Sequence, residues 1–279
     1  MVKLLRGNLN RLVKNKVFWL CIIAVIVCCV CIINQGILLS ESGRKAVALE
    51  DYYFRVGPFL SLFLSVFIPL FVGVEYSFGT IRNKLAMGFT RGRIYLSYYI
   101  SCLIGAGAIL TAWFLAGLTG IPKLGLWQSG TTEIVFDFVV TILYAISLTA
   151  IFTFFSMMIT GRSGSVVFQI LLALGLILAA SMIFNRLCEP EETRGMVLIN
   201  GEIAMTEPEP NPMYIGGTMR RIFVALVNIL PTGQAILMLH EESSGSVPIN
   251  ISLQIISSVL IALCVTAAGI LTFRKKDLK

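Results

Sequence analysis

The sequence predicts an all-α integral membrane protein with six transmembrane helices and both termini in the cytoplasm. Three observations lead to this fold class: an apolar composition, six apolar runs of spanning length, and cations concentrated on one predicted side. Of the 279 residues, 57% are hydrophobic and 13% are charged, which is too apolar for an ordinary soluble domain. The net charge of +7 comes from separate basic blocks beside apolar runs, which indicates membrane topology and not a nucleic-acid-binding face.

Residues 1–16 predict a basic amphipathic helix on the inner leaflet. Lysines and arginines occur here without any acid, and leucines recur at helical intervals. Residues 17–39 follow as the first span, because a helix rising 1.5 Å per residue crosses the roughly 30 Å hydrocarbon core over this length. A signal peptide is the alternative, but the apolar run lacks an Ala-x-Ala-like cleavage site.

The second and third spans are predicted at residues 57–76 and 95–118. Residues 40–56, which precede them, carry charges of both signs, as expected of an outside loop. Pro69 lies inside the second span and predicts a kink there. Small residues recur at every fourth position of the third span, which predicts a helix that packs closely against protein. Chance recurrence in a helix rich in alanine and glycine is the alternative.

A cationic segment lies between these two spans, and we expect it in the cytoplasm. It carries Arg82, Lys84, Arg91 and Arg93, and it follows Glu75 at the inner end of the second span. Glu75 is placed to pair with Arg82 or with a basic residue of another helix and so to tie the span to the segment. A purely structural cap on the helix is the alternative role for this carboxylate.

The same segment contains apolar residues at helical spacing. Phe78, Ile81, Leu85 and Phe89 recur every three or four residues. This spacing predicts a short amphipathic helix lying along the inner membrane face. A helix in that position is exposed to a cytoplasmic partner.

The last three spans are predicted at residues 134–160, 165–184 and 250–273. Residues 185–249 form a long, acidic outside region. Within it, residues 222–239 are apolar and compete for the status of a seventh span, but a crossing there would put the basic C-terminal tail outside. We therefore predict a re-entrant hairpin in the outer leaflet whose irregular centre is buried in protein.

Motifs for catalysis are absent from the sequence. There is no Gly-x-x-x-x-Gly-Lys-Ser/Thr phosphate loop, so ATP-driven transport would need another polypeptide to hydrolyse the nucleotide. There is no Gly-x-Ser-x-Gly elbow, and the single histidine, His240, has no evident serine or cysteine partner. Six of the seven cysteines lie in apolar runs, where they are small hydrophobes. The sequence thus predicts no catalytic residue, no metal site and no cofactor in this chain.

Several motifs resemble the permease subunit of bacterial type-2 ABC exporters. The resemblance is closest to the small six-span permeases of peptide-antibiotic immunity and multidrug export. It rests on EYSFGTIRNKL at positions 75–85 with Gly88, Arg91 and Arg93 after it, on LPTGQ at 230–234, and on the basic ending FRKKDLK. The order of the spans agrees with this family over nearly the whole chain.

The resemblance implies partners and roles that the residues alone do not. Two permease chains, identical or related, would pair in the bacterial cytoplasmic membrane with two ABC ATPase subunits that bind ATP and Mg²⁺. The segment after the second span would be a coupling helix seated in a groove of the ATPase, and the outer hairpin would cap the translocation path. The implied coupling residues are Glu75, Phe78, Gly79, Thr80, Ile81, Arg82, Asn83, Lys84, Leu85 and Arg91. The implied hairpin residues are Pro231, Thr232, Gly233 and Gln234.

Two function classes remain open at the level of the sequence. The first is a permease that moves an amphipathic peptide, drug or lipid-like substrate outward, with export preferred over import on the resemblance alone. The second is a non-transporting membrane protein that gives immunity by sequestering an antimicrobial peptide, or that anchors a partner. A secondary carrier is disfavoured, because mid-span ionisable residues and a clear inverted repeat are lacking.

Overall fold

The structure is a computed structural model that describes residues 1–42, 48–194, 196–199, 202–205, 207–239 and 247–276. His240 and the last three residues of the basic tail lie outside the described residues. Within these ranges, six helices are long and apolar enough to cross a membrane, which confirms a multi-pass, helical membrane protein. They are α2 (Lys16–Glu41), α4 (Gly57–Ser77), α6 (Arg91–Gly117), α8 (Thr131–Met158), α9 (Arg162–Cys188) and α12 (Ile251–Lys275).

Shorter elements join these long helices. The short helices are α1 (Val2–Val13), α3 (Leu49–Tyr53), α5 (Thr80–Ala86), α7 (Ile121–Leu124), α10 (Gly217–Ile229) and α11 (Pro231–Leu237). The strands are β1 (Glu192–Thr193), β2 (Met196–Ile199), β3 (Glu202–Met205) and β4 (Glu209–Pro210). They form two antiparallel pairs, β1 with β4 and β2 with β3.

Both described chain ends lie at the same end of the bundle. Near the N-terminus, the Asn8 side-chain amide donates to Ser97 Oγ, close to the start of α6, over 3.0 Å. At the other terminus, Lys276 Nζ lies 3.1 Å from the hydroxyl of Tyr76, close to the end of α4. We call this the Glu75 end, and the opposite end, where α3 lies, the Glu50 end.

The α4 helix forms the centre of the bundle. It packs against α2, α8 and α9, and its Leu60, Leu64, Phe67 and Phe71 are fully buried. Since lipid is as apolar as these side chains, close packing and not the hydrophobic effect holds such helices together. By contrast, α9 and α12 expose rows of leucines, such as Leu171 and Leu263, as expected of surfaces that face lipid.

The small-residue stripe predicted for the third span does pack against protein. Ser97 and Ser101 are buried in α6, and Gly105 lies so close to Phe67 of α4 and Leu12 of α1 that an added Cβ would contact both side chains. The small residues of the stripe therefore permit the close approach of α6 to α4 and α1.

The N-terminal helix lies differently from the prediction. Instead of resting on the leaflet alone, α1 packs along α6 and buries the stripe Leu4, Asn8 and Leu12. Its exposed side still carries Lys3 and other cations, so the amphipathic pattern is real. Part of its inward face is polar, however, and it meets polar groups of α6, which makes α1 a component of the bundle.

The predicted hairpin at residues 222–239 consists of two helices. The α10 and α11 helices meet at Leu230, whose extended backbone breaks the helical run, and every residue of α11 is buried. The acidic region before α10 contains the four short strands. The position of the two helices in the outer leaflet stays a prediction.

Candidate functional site

The candidate site is a polar cluster at the Glu75 end, centred on a buried carboxylate. Glu75 is only 4% exposed and lies in the last turn of α4. Its Oε1 forms an ion pair with Arg11 of α1, and its Oε2 lies 2.8 Å from Lys84 Nζ of α5. The Thr80 hydroxyl also donates to Oε2. One carboxylate thus joins α1, α4 and α5.

Two glycines shape the chain around this carboxylate. Gly79 has φ +62° and ends α4, so that α5 folds back with Thr80 and Lys84 facing Glu75. Gly88 has φ +85° and separates α5 from α6. A residue with a Cβ pays roughly 1–2 kcal/mol in this left-handed region, which explains glycine at both turns. Because of these turns, α5 is only seven residues long.

A second layer of hydrogen bonds extends the cluster to α6. Lys84 Nζ donates to the Tyr98 hydroxyl and lies 3.3 Å from Asn8 Oδ1. The Asn8 amide in turn donates to Ser97. Arg11 reaches the carbonyl of Phe71 and lies over its ring. The cluster is therefore connected to α6 through Tyr98 and Ser97 and to an earlier turn of α4 through Phe71.

Charge is not balanced within the cluster. Two cations share one carboxylate, and both side chains are partly buried. Burial lowers the pKa of Arg11 below its ordinary value, and burial together with the nearby Arg11 guanidinium lowers the pKa of Lys84 to about 8. Removal of the carboxylate would leave these two partly buried positive charges facing each other without a counter-charge, which is unfavourable.

The structure separates the predicted coupling residues into an inward and an outward set. On the inner side of α5, Ile81 is buried and Leu85 is half-buried, whereas Phe78, which precedes this helix, is 75% exposed. Arg82 and Asn83 are exposed as well. The prediction of one helix with Phe78, Ile81, Leu85 and Phe89 on a shared apolar face is wrong. The glycine turns leave Phe78 and Phe89 outside α5, and Phe78 points away from the bundle.

One expectation about an individual residue needs correction. Glu75 does not pair with Arg82, whose side chain is exposed and forms none of the ion pairs found among the described residues. The partner from another helix is Arg11, which sequence reasoning missed as a site residue. The sequence signal for a polar contact of α1 with the bundle was Asn8, a polar residue at the same helical spacing as the buried Leu4 and Leu12. Arg91 lies apart from the cluster, where it donates to the carbonyls of Arg274 and Lys276.

The predicted hairpin residues form a separate buried network at the Glu50 end. The Gln234 amide donates to the carbonyl of Asn228 over 3.1 Å and accepts from Ser258 Oγ over 2.9 Å, which links α11 to α12. The Thr232 hydroxyl donates to the carbonyl of Leu176 in α9 over 2.9 Å. A Cβ at Gly233 would collide with the carbonyl of Val227. These contacts hold the hairpin rigidly between two membrane helices.

Neither site resembles a metal centre in the part of the chain that the structure describes, where no group of three metal-binding side chains occurs. Comparison with known proteins yields no matching family model and no matching curated sequence. The geometry of the Glu75 cluster is therefore the main guide to function.

Proposed function

We propose that the chain is the permease subunit of an ATP-driven exporter in a bacterial cytoplasmic membrane. A separate ABC ATPase would supply the energy, and a second permease chain would complete the path for an amphipathic peptide, drug or lipid-like substrate. One observation carries the proposal. The α5 helix is tied through Glu75 to a spanning helix and to the N-terminal helix, while its outward side is left exposed.

The exposed side of α5, together with the residues on either side of this helix, has the composition of a docking surface. Phe78 and Met87 are 75% and 66% exposed, and Arg82 and Asn83 lie between them in sequence. Aromatic residues and arginine are the side chains that most often dominate binding at protein interfaces. In our proposal Phe78 inserts into the ATPase, and closure of the ATPase dimer on ATP moves α5.

The ion pairs supply a path for that motion. A push on α5 reaches α4 through the Lys84–Glu75 pair and reaches α1 through the same carboxylate and Arg11. Because α4 is the most enclosed of the long helices, its displacement must move the helices around it. ATP and Mg²⁺ bind to the ATPase subunit in this scheme, and the present chain contributes no catalytic residue.

Co-purification with an ATPase tests the proposal. The chain, purified from its own membranes in mild detergent, should be recovered together with a protein that carries a Walker motif. Phe78→Ala should weaken the complex about tenfold or more, as expected of an interface hot spot. Phe59→Ala is the matched control, because Phe59 is an exposed aromatic residue at the opposite end of α4.

The competing function predicts a different result. A protein that sequesters an antimicrobial peptide or anchors a partner would need no ATPase and would protect cells without ATP. Immunity or export that persists when the ATPase carries an inactive nucleotide site would therefore contradict the exporter proposal. Equal recovery of the ATPase with Phe78→Ala and with Phe59→Ala would remove the assigned role of Phe78.

A further inference from the structure

The basic C-terminus makes contacts that the proposed function does not use. Lys276 follows α12 directly, and its ammonium group donates to the carbonyl of Met157 at the end of α8 over 2.8 Å. The same group lies 3.1 Å from the Tyr76 hydroxyl and 4.5 Å from the centre of the Tyr76 ring. One lysine thus bridges the ends of α4, α8 and α12.

The backbone of the same residues holds a fourth helix. The Arg91 guanidinium donates to the carbonyl of Arg274 over 3.0 Å and also to that of Lys276. These bonds tie the first residue of α6 to the end of α12. Helix carbonyls at a C-terminus lack partners within the helix, and a cation there is favourable both as a donor and toward the helix dipole.

The two residues held in this way flank α5 in the sequence. Tyr76 directly precedes residues 77–90, and Arg91 directly follows them. The beginning and the end of this segment are therefore both bonded to residues 274–276, although about 200 residues separate Tyr76 from Lys276.

We propose that residues 274–276 form a clasp that fixes the base of segment 77–90 by holding Tyr76 and Arg91 together. Lys276 and Arg91 are then positioning residues, since they act on α5 through its flanks and not through α5 itself. Tyr76, which the clasp holds, directly follows Glu75 in the chain. Segment 77–90 is thus held by one set of contacts from α1 and by another from the end of α12.

The environment of Lys276 supports a specific contact. Its side chain is partly buried against Tyr76 and Met157, and burial lowers its pKa to about 8. The side chain of Lys275, the preceding residue, is exposed, and this side chain makes no hydrogen bond or ion pair among the described residues. A cation that merely anchored the tail to lipid headgroups would remain in water, as Lys275 does.

Hydrogen exchange of the purified chain tests the clasp without any ATPase. Lys276→Met removes the donor and retains the apolar stem, and Tyr76→Phe removes the hydroxyl and retains the ring. We expect both to accelerate exchange of the α5 amides roughly tenfold or more by raising local opening. Lys275→Met is the matched control and should leave exchange at the wild-type rate.

Two results would overturn the clasp. The first is equal exchange of segment 77–90 in Lys276→Met and Lys275→Met. The second is acceleration spread over α4 and α8 as well, which would indicate general destabilisation. The consequence for transport rests on the proposed function, and a reconstituted assay with the ATPase tests it separately. If exchange changes as expected but no ATP-driven transport occurs, the clasp stands and the exporter proposal fails.

Discussion

Two glutamates at opposite ends of the bundle are buried to the same degree but held in different ways. Glu75 is 4% exposed and Glu50 is 5% exposed. Glu75 is held by the charged side chains of Arg11 and Lys84. Glu50 instead accepts from the backbone N–H groups of Gln128 and Ser129, the latter over 2.7 Å, and no ion pair to it occurs among the described residues.

The difference indicates two roles for one residue type. The backbone donors of Gln128 and Ser129 lie in one loop and fix that loop to α3. These N–H groups cannot move away from Glu50 unless the loop unfolds, so Glu50 is an anchor. Long cationic side chains from two separate helices can swing while they remain paired, so Glu75 is a joint between elements. Variants of the two glutamates and their partners should distinguish an anchor from a joint.

Replacing Glu75 should have the largest effect. Glu75→Gln leaves Arg11 and Lys84 without a counter-charge. The loss of one partner from a fully buried ion pair costs about 3–5 kcal/mol, and because both cations are partly exposed we expect the lower end of that range. We expect ATP-driven transport to be abolished while the chain still inserts in the membrane. Reconstituted transport and thermal unfolding in detergent measure the two effects. Full export by Glu75→Gln would contradict the role of Glu75 as a joint between helices.

Replacing one cation should have an intermediate effect. Arg11→Gln leaves Lys84 to neutralise the carboxylate, so the expected loss is about 1.5–3 kcal/mol, as for a hydrogen bond to a charged group. Because Arg11 is the link to α1, this variant should also open the bond at Lys14 to limited trypsin digestion. Lys3→Gln, a charge removed from the exposed side of the same helix, serves as the control. Equal digestion of the two variants would argue against a link through Arg11.

Replacing Glu50 should have a smaller effect that is confined to stability. Glu50→Gln keeps one acceptor oxygen for the loop but loses part of the charge-assisted bonding, which we expect to cost about 1 kcal/mol. Transport per folded molecule should be unchanged. If Glu50→Gln abolished transport as Glu75→Gln should, the distinction between anchor and joint would be lost.

A pH series should give the smallest difference between the two ends. The pKa of Lys84 in the folded chain is lowered to about 8 from 10.5, so between these values the unfolded chain binds more protons than the folded one. The free energy of unfolding should therefore rise with pH over this window. Thermal unfolding of Lys84→Gln should show a flatter rise, whereas Glu50→Gln should keep the wild-type slope. Parallel curves for all three proteins would contradict the lowered pKa.

The long helices could be predicted from the sequence because lipid imposes simple requirements on length and composition. The residues at which these helices begin and end could not be predicted in this way. The apolar run predicts the third span from residue 95, whereas α6 already begins at Arg91, since a helix continues beyond the hydrocarbon core into polar residues. Likewise α9 extends to Cys188, four residues past the predicted end of the fifth span.

The candidate site was less predictable, because its contacts join distant parts of the chain. The conspicuous local charge near Glu75 was Arg82, but the turn at Gly79 directs Arg82 outward and brings Lys84 inward. The pairing of Glu75 with Arg11 depends on how α1 packs against α6. The contact of Lys276 with Tyr76 likewise depends on the meeting of α4, α8 and α12.

The proposed exporter function requires that the Glu75 end faces the cytosol, where an ATPase can reach α5. A membrane-impermeant maleimide tests this in intact cells, with Asn83→Cys at the Glu75 end and Lys123→Cys at the Glu50 end, each in a background without the native cysteines. We predict that Lys123→Cys reacts in intact cells and that Asn83→Cys reacts only after the membrane is permeabilised. Labelling of Asn83→Cys from outside intact cells would contradict the orientation and, with it, the motor-driven function.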